Sequence, residues 1–299
     1  MPELPEVETV AQGLRRRALG RRISSVEIRH PSVIAGAPEE FASTLEGRKL
    51  ASVSRRGKAL TLELAAADGS APRFLLVHLG MTGQLTVSPR AAPIEPHTHV
   101  FMTLDEGREE LRFRDPRRFG RLRSLTPPEL GKVLGTLGPD AQRVTEPQFL
   151  AAMRGRKGAI KSWLMNQHLV AGLGNIYADE ALFEARIHPL SQPGRVSADK
   201  ARQLYKAVRK VLDRAVRLGG TTFSDYLDIE GRPGAFLSKL RVYQHTGEPC
   251  RRCGRIIRRI VIAGRSSHFC PRCQVQPRVT AQMRGSRTSG APGGFVREA

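Results

Sequence analysis

The segment TPPEL, residues 126–130, divides the chain into two patterns. Upstream lie short runs rich in β-branched and aromatic residues: RISSVEI (22–28), KLASV (49–53), ALTLEL (59–64), FLLVHL (74–79), QLTV (84–87), HVFMTL (99–104) and LRFR (111–114). Such runs read as strands, and GMTG (80–83) and DEG (105–107) read as hairpin turns between them. One helix precedes them over residues 5–19, with Pro5 in the first turn, Val7, Val10 and Leu14 on one side and Gly20 at the stop. Many short strands after a single helix predict a sandwich or barrel. Downstream, EPQFLAAMRG (146–155), AIKSWLMNQHL (159–169), NIYADEALFEA (175–185) and SADKARQLYKAVRKVLDRAVRLGG (197–220) have helical spacing. In the last of these, Ser197 caps the start, Leu204, Val208, Val211, Leu212 and Ala215 form a stripe, and Gly219 ends it. The fold class is therefore α+β, with segments 1–125, 126–235 and 236–274. A tail over 275–299, rich in Gly, Ser, Pro and Arg and without periodicity, reads as disordered.

Forty-nine Lys and Arg against 28 Asp and Glu leave a formal charge of +21 on 299 residues, and the isoelectric point is near 11.1. Such an excess repels itself in a compact state, so a polyanionic partner is expected, and nucleic acid rewards Lys and Arg contacts by releasing counterions. The start MPELPEVETVAQGLRRR has no apolar region ahead of its charges, which argues against a secretory signal. No apolar stretch approaches the roughly 20 residues of a membrane span, so a cytoplasmic setting without a membrane partner is expected. The four cysteines, Cys250, Cys253, Cys270 and Cys273, form the pattern C-R-R-C, 16 residues, C-P-R-C. This is the spacing of a zinc site in which two turns present thiolates; disulfides or a bound iron are the alternatives, and a reducing compartment favours zinc. Four thiolates fill the coordination shell, so one zinc ion would hold structure rather than substrate. Between the pairs, two strand-like runs flank Ala263-Gly264 and carry Arg255, Arg258, Arg259 and Arg265, a ribbon suited to a DNA groove.

VAGLGNIYADEAL (170–182) sets a Gly-x-Gly-Asn turn before a helix, where free amides suit a phosphate and Asn175 adds a donor. Tight glycine turns between helices are also common, and the dinucleotide fingerprint is not completed. RFRDPRRFG (112–120) offers Arg117, Arg118 and Phe119 at a strand connection, and HLGMTG (78–83) offers Met81 at a turn tip. Apolar wedges beside arginine suit a protein that unstacks a base step. Pattern alone equally reads them as turn packing and a solvated edge, and it does not choose among Lys58, Lys157 and the pair His97/His99. At the N-terminus, methionine before proline is normally trimmed, leaving Pro2 with a secondary amine; α-amines titrate at about 7.7–8.0, so a useful fraction is neutral. Such an amine can attack a sugar C1′ to form a Schiff base, with the neighbouring Glu3 carboxyl passing a proton. The alternative is an acidic first turn complementing the helix dipole, which suits Glu6 and Glu8.

MPELPEVET, RRGKALTLEL, HLGMTGQL, DPRRFG, AIKSWL, LVAGLGNIYADEALF, IHP, GGTTFSDY and CRRCGR…GRSSHFCPRC together resemble the bacterial formamidopyrimidine-DNA glycosylase family, in the family's order, from residue 1 to about 274. The resemblance implies an enzyme of base-excision repair that removes 8-oxoguanine and formamidopyrimidines from double-stranded DNA, then nicks the abasic strand by β,δ-elimination. Pro2 would be the nucleophile and Glu3 the general acid, with Lys58 assisting catalysis. Met81, Arg117 and Phe119 would enter the duplex, Arg117 facing the orphaned cytosine. Lys157, Asn175 and Arg265 would contact the DNA backbone. The family's fold is a β-sandwich domain, a helix-two-turn-helix domain with a base-holding loop after Gly220, and a zinc ribbon. The resemblance further implies a monomer acting in the bacterial cytoplasm at the nucleoid. Asn166 and Ala59 depart from residues frequent in the family, and neither change removes a catalytic group. The related endonuclease VIII branch, directed at oxidised pyrimidines, usually reads PEGPE at the start. Leu4 with Met81, Arg117 and Phe119 points to the purine branch. A zinc-ribbon DNA-binding protein without catalysis is the alternative class.

Overall fold

The computed structural model describes residues 2–223 and 226–276. Met1, residues 224 and 225 of the expected base-holding loop, and 277–299 of the expected tail lie outside them. Helix α1 (Leu4–Arg17) begins one residue earlier than its spacing predicts, because Glu3 is the N-cap and its N–H donates to Glu6 Oε2 at 2.8 Å. Arg15, Arg16 and Arg17 occupy its last turn, where cations complement the helix dipole.

Eight strands follow: β1 (Ile23–Ile28), β2 (Lys49–Arg56), β3 (Ala59–Ala65), β4 (Arg73–His78), β5 (Gln84–Pro89), β6 (Thr98–Leu104), β7 (Glu109–Arg114) and β8 (Arg121–Leu125). They form two four-stranded antiparallel sheets, ordered β1-β6-β7-β5 and β2-β3-β4-β8. Inward residues of both sheets and Val7, Val10 and Leu14 of α1 share one core. DEG closes the β6–β7 hairpin, with Asp105 at φ +49° and Gly107 at φ +89°. GMTG corrects the sequence reading. It joins β4 to β5, which lie in different sheets, so it is a crossover and not a hairpin. Strand β8 and helix α2 (Pro38–Leu45) have no counterpart in the sequence reading. RLRSL offers only Leu122 and Leu125 as apolar residues, and α2 buries only Phe41 and Leu45.

The second half carries α3 (Pro127–Gly135), α4 (Glu146–Met153), α5 (Ile160–Met165), α6 (Asn175–Glu184) and α7 (Ala198–Arg217). Ser197 caps α7 by accepting from Lys200 N–H at 3.4 Å, and Leu204, Val208, Leu212 and Ala215 are buried while Val211 is half-buried. Helices α4 to α7 share a second core with Leu4, whereas α3 lies against β4 and β8 of the sandwich. Helix α1 thus has its first residue in one core and its next turns in the other, which fixes the N-terminus between the halves. The chain after the loop ties them again: Tyr226 and Ile229 sit in the sandwich core, and Val87 N–H donates to Ile229 O at 2.9 Å. A third, small core joins Phe183, Val242 and Ile257 to Cys250 and Cys270. It supports the ribbon of β9 (Arg258–Ile262) and β10 (Arg265–Phe269), which turns at Ala263-Gly264 as the sequence predicts. Among the described residues, no helix is long and apolar enough to cross a membrane.

Candidate functional site

The turn before α6 binds an anion of the chain's own, the carboxylate of Glu3. Gly174 N–H donates to Glu3 Oε2 at 2.6 Å and Ile176 N–H to Glu3 Oε1 at 3.0 Å. The helix N-terminus, with free amides and a favourable dipole, is filled by a carboxylate of the same chain. Glu3 is 1% exposed, and Pro2 before it is also buried. Leu4 N–H, donating to Gly172 O at 3.1 Å, completes the attachment of the N-terminus to this turn.

Lys58 joins them from the β2–β3 turn. Gly57 adopts φ +58°, packs against Ala171 and donates its N–H to Asp140 Oδ2 at 2.7 Å. Arg55 binds the same Asp140 at 2.5 Å and Glu8 at 2.9 Å, so one buried ion network locks α1, β2 and the 140 segment together. A Cβ on Gly174 would overlap the Glu3 carboxyl and lie 2.6 Å from Lys58 Nζ, which shows how closely turn, acid and amine meet. Burial pushes the Lys58 amine below the ordinary lysine range, Arg265 adds to this, and Glu3 and Glu6 oppose it. His78 is lowered too, by burial and then by Lys58.

Glu6 and Glu8 do more than complement a helix dipole, which corrects the simpler reading. Glu6 Oε1 accepts from Tyr177 Oη at 2.5 Å and from Thr221 N–H at 2.7 Å, across more than two hundred residues of sequence in the second case. Burial, then the nearby Glu3, raises its pKa. Glu8 is opposed by burial, but Arg55 and Arg15 hold its carboxyl below the usual range. On the other side of α6, Asp179 receives Lys161 Nζ at 2.7 Å, Ser267 Oγ at 3.1 Å and His268 N–H at 2.8 Å. Lys161 and Asp179 are both 1% exposed. This buried pair fastens β10, and with it Arg265, to α5 and α6.

Met81, Arg117 and Phe119 are brought together elsewhere, by two touching loops. Thr82 Oγ1 donates to Asp115 Oδ1 at 2.5 Å, and Gly120 N–H donates to Asp115 Oδ2 at 2.7 Å. Met81 is 38% and Phe119 52% exposed, and the Arg117 guanidinium lies 4.7 Å from the Phe119 ring centre. Two large apolar tips held out beside an arginine form the kind of exposed patch that marks an interaction site. Asn175 opens α6; its Oδ1 is buried without a partner among the described residues, and its side chain reaches the Tyr243 hydroxyl. Lys157 is not drawn into the Glu3 cluster: it is exposed in the α4–α5 loop and lines a depression of about 390 Å³ with Arg156 and Arg195.

The sulfur atoms of Cys250, Cys253, Cys270 and Cys273 lie within 4.8 Å of one another, Cys253 and Cys270 at 3.4 Å. That donor set fits tetrahedral zinc, with bonds of about 2.3 Å. Burial and the neighbouring thiols push Cys273 up to about 12, and a bound cation would favour its thiolate. Arg55, Asp140, Lys161, Asp179 and Tyr177 escaped the sequence reading. AIKSWL and NIYADE contain three of them, but their partners are distant in sequence and leave no periodic signal.

Three family models match the chain in order: the formamidopyrimidine-DNA glycosylase N-terminal domain over residues 1–122, the H2TH domain of the same enzymes over 136–226, and the zinc finger found in FPG and IleRS over 247–275. Sandwich, helical domain and zinc finger together define the DNA-glycosylase class. The formamidopyrimidine-DNA glycosylase of Symbiobacterium thermophilum is 46% identical over 304 aligned residues, covering 100% of this chain and 97% of its own. That of Solibacter usitatus is 44% identical, covering 92% and 99%. The Lactococcus lactis Fpg bound to DNA with an abasic site superposes with a TM-score of 0.84 at 36% identity, covering 92% of this chain and 100% of its own. The Thermus thermophilus protein gives 0.80 at 41%, covering 93% and 100%. The chain belongs to the formamidopyrimidine-DNA glycosylase family.

Proposed function

We propose that this protein removes oxidised purines, 8-oxoguanine and formamidopyrimidines, from double-stranded DNA and then nicks the abasic strand. The observation that carries the proposal is the N-terminus itself: Pro2 and Glu3 are buried between the two halves, and the Glu3 carboxyl is fixed by two amides beside the Lys58 amine. After loss of Met1, the Pro2 nitrogen attacks C1′ of an everted nucleotide, and the base leaves as Glu3 delivers a proton to the sugar oxygen. The resulting iminium acidifies the C2′ proton, so elimination expels the 3′ phosphate and a second elimination the 5′ phosphate. Lys58, with its amine lowered by burial, serves as the proton-accepting partner near a phosphate.

Met81, Arg117 and Phe119 fill the gap left in the stack, Arg117 opposite the unpaired cytosine. Lys157, Asn175 and Arg265 take backbone phosphates, and residues 1–125, 126–235 and 236–274 act as catalytic, helix-two-turn-helix and zinc-ribbon parts. One zinc held by Cys250, Cys253, Cys270 and Cys273 supplies no chemistry beyond rigidity. It keeps Arg265 in place. The setting is the bacterial cytoplasm at the nucleoid, and the protein works as a monomer. Borohydride reduction of a reaction on 8-oxoguanine opposite cytosine tests the proposal. A covalent adduct on mature Pro2 is expected, and its absence from protein with a free Pro2 terminus sinks it.

A further inference from the structure

The two ends of α6 face different surroundings. Its first turn grips Glu3, whereas Glu184, about 14 Å further along the axis at 1.5 Å per residue, lies in a strongly basic trough. The trough is three depressions in a row. The first, about 470 Å³, lies between the end of α6 and α7 and includes Lys200, Lys206 and Lys210. A neck at Lys210 and Arg214 leads to the last, about 360 Å³, where Lys239 meets Arg251 and Arg252 of the first cysteine turn. Neighbouring depressions share lining residues, so the basic surface is continuous.

Its two carboxylates are already committed. Glu184 binds Lys210 at 2.5 Å, Arg241 at 2.9 Å and Arg252 at 3.5 Å, and Glu180 accepts the backbone N–H groups of Arg241, Val242 and Tyr243. The side chains of Lys206, Lys239 and Arg251 are exposed and have no hydrogen bond or ion pair among the described residues. The large apolar residues lining the trough are covered and do not stand out as anchors: Phe183 lies beneath Arg252, whose guanidinium is 4.3 Å from the ring centre, Phe236 is buried and Val211 half-buried. Protein partners dock on aromatic and aliphatic anchors, whereas a phosphate backbone needs only a line of cations. The chemistry selects a nucleic-acid backbone.

None of the residues lining the trough belongs to the Glu3 cluster, to the wedge loops or to β10 with Arg265, so its cations are free for a separate backbone. We propose that the trough is a second DNA-backbone site, which takes another duplex segment while the first is engaged and lets the protein pass between segments without free dissociation. This rests on the DNA-repair reading of the first face and adds a second.

The test uses the full-length zinc-loaded protein and the triple variant Lys206→Ser, Lys239→Ser, Arg251→Ser. Excision from a short lesion duplex and zinc content are expected to match the wild type, which reads folding and the first face separately. Release from a labelled duplex with an abasic-site analogue is then chased with rising amounts of undamaged duplex. Wild-type release is expected to accelerate at least threefold across the chase, and the variant's release to stay flat. Equal chase dependence in both proteins, or none in either, overturns the proposal. So does acceleration by poly-glutamate without acceleration by duplex, which would assign the trough to an acidic protein.

Discussion

Replacing Gly174 by alanine is the sharpest single test of how the site is assembled. The residue sits at φ −130° and ψ −151°, on the side of backbone space open to any amino acid, so strain does not enter. The effect is steric: the new Cβ overlaps the Glu3 carboxyl and lies 2.6 Å from Lys58 Nζ. To make room, Glu3 must leave the amides of Gly174 and Ile176, held at 2.6 and 3.0 Å. Hydrogen bonds to a charged group contribute about 1.5–3 kcal/mol each. Partial compensation by water leaves an expected loss of stability of about 2–4 kcal/mol, read from urea unfolding. The catalytic loss is larger, because a displaced proton carrier forfeits about 10²–10⁴-fold. Single-turnover excision of 8-oxoguanine and borohydride trapping should both fall by at least ~100-fold, with affinity for undamaged DNA nearly unchanged. Gly131→Ala, where a Cβ meets nothing within 4 Å, is the control and should behave as wild type or slightly better. Trapping by Gly174→Ala at half the wild-type rate or more would refute the reasoning that this turn holds Glu3 for chemistry.

Asp179→Asn leaves Lys161 buried without its counter-charge and should cost about 3–5 kcal/mol, while adding Lys161→Met should recover much of that; a loss under about 1 kcal/mol in thermal or urea melts contradicts the pairing. Removing zinc with a chelator should free β10 and Arg265, weaken DNA binding and flatten its log–log salt dependence by roughly 0.9 for each phosphate no longer neutralised; an unaltered slope in filter-binding titrations would detach Arg265 from the backbone. The folded Glu6 carboxyl is raised above 4.5, chiefly by burial, so its contribution to stability is complete below pH 4.5 and is lost as pH rises through the raised value. Wild-type stability should therefore fall relative to Glu6→Gln as pH rises from 4.5 towards neutrality, and a difference that stays constant with pH argues against the buried acid.

How much of this was legible in the sequence differs from element to element. The runs from 22–28 to 111–114 are apolar, short and bounded by turn residues clearly enough to mark seven strands, and the stripe of Leu204, Val208 and Leu212 marks α7, because each signal lies within one element. GMTG looks like any hairpin turn locally. Whether its two strands pair depends on which sheet each joins, and β4 and β5 join different ones. Lys161 and Asp179 lay inside recognisable stretches yet carried no sign of being partners. The MPELPEVET start drew attention to Pro2 and Glu3, but not to Glu6 as the acid that ties α1 to Tyr177 and Thr221.

By itself the sequence determined the partition into strands and helices, the four zinc ligands through their fixed spacing, and the polyanionic partner through net charge. These are local or additive properties. Only the tertiary structure decided that the amide turn before α6 holds Glu3, that Lys58 reaches the same point, and that the two wedge loops touch. Glu3 and Gly174 are 171 positions apart. Their meeting depends on α1 lying between two cores and on the Arg55–Asp140 network locking the halves, and three-dimensional packing of that kind leaves no trace in any short window of residues.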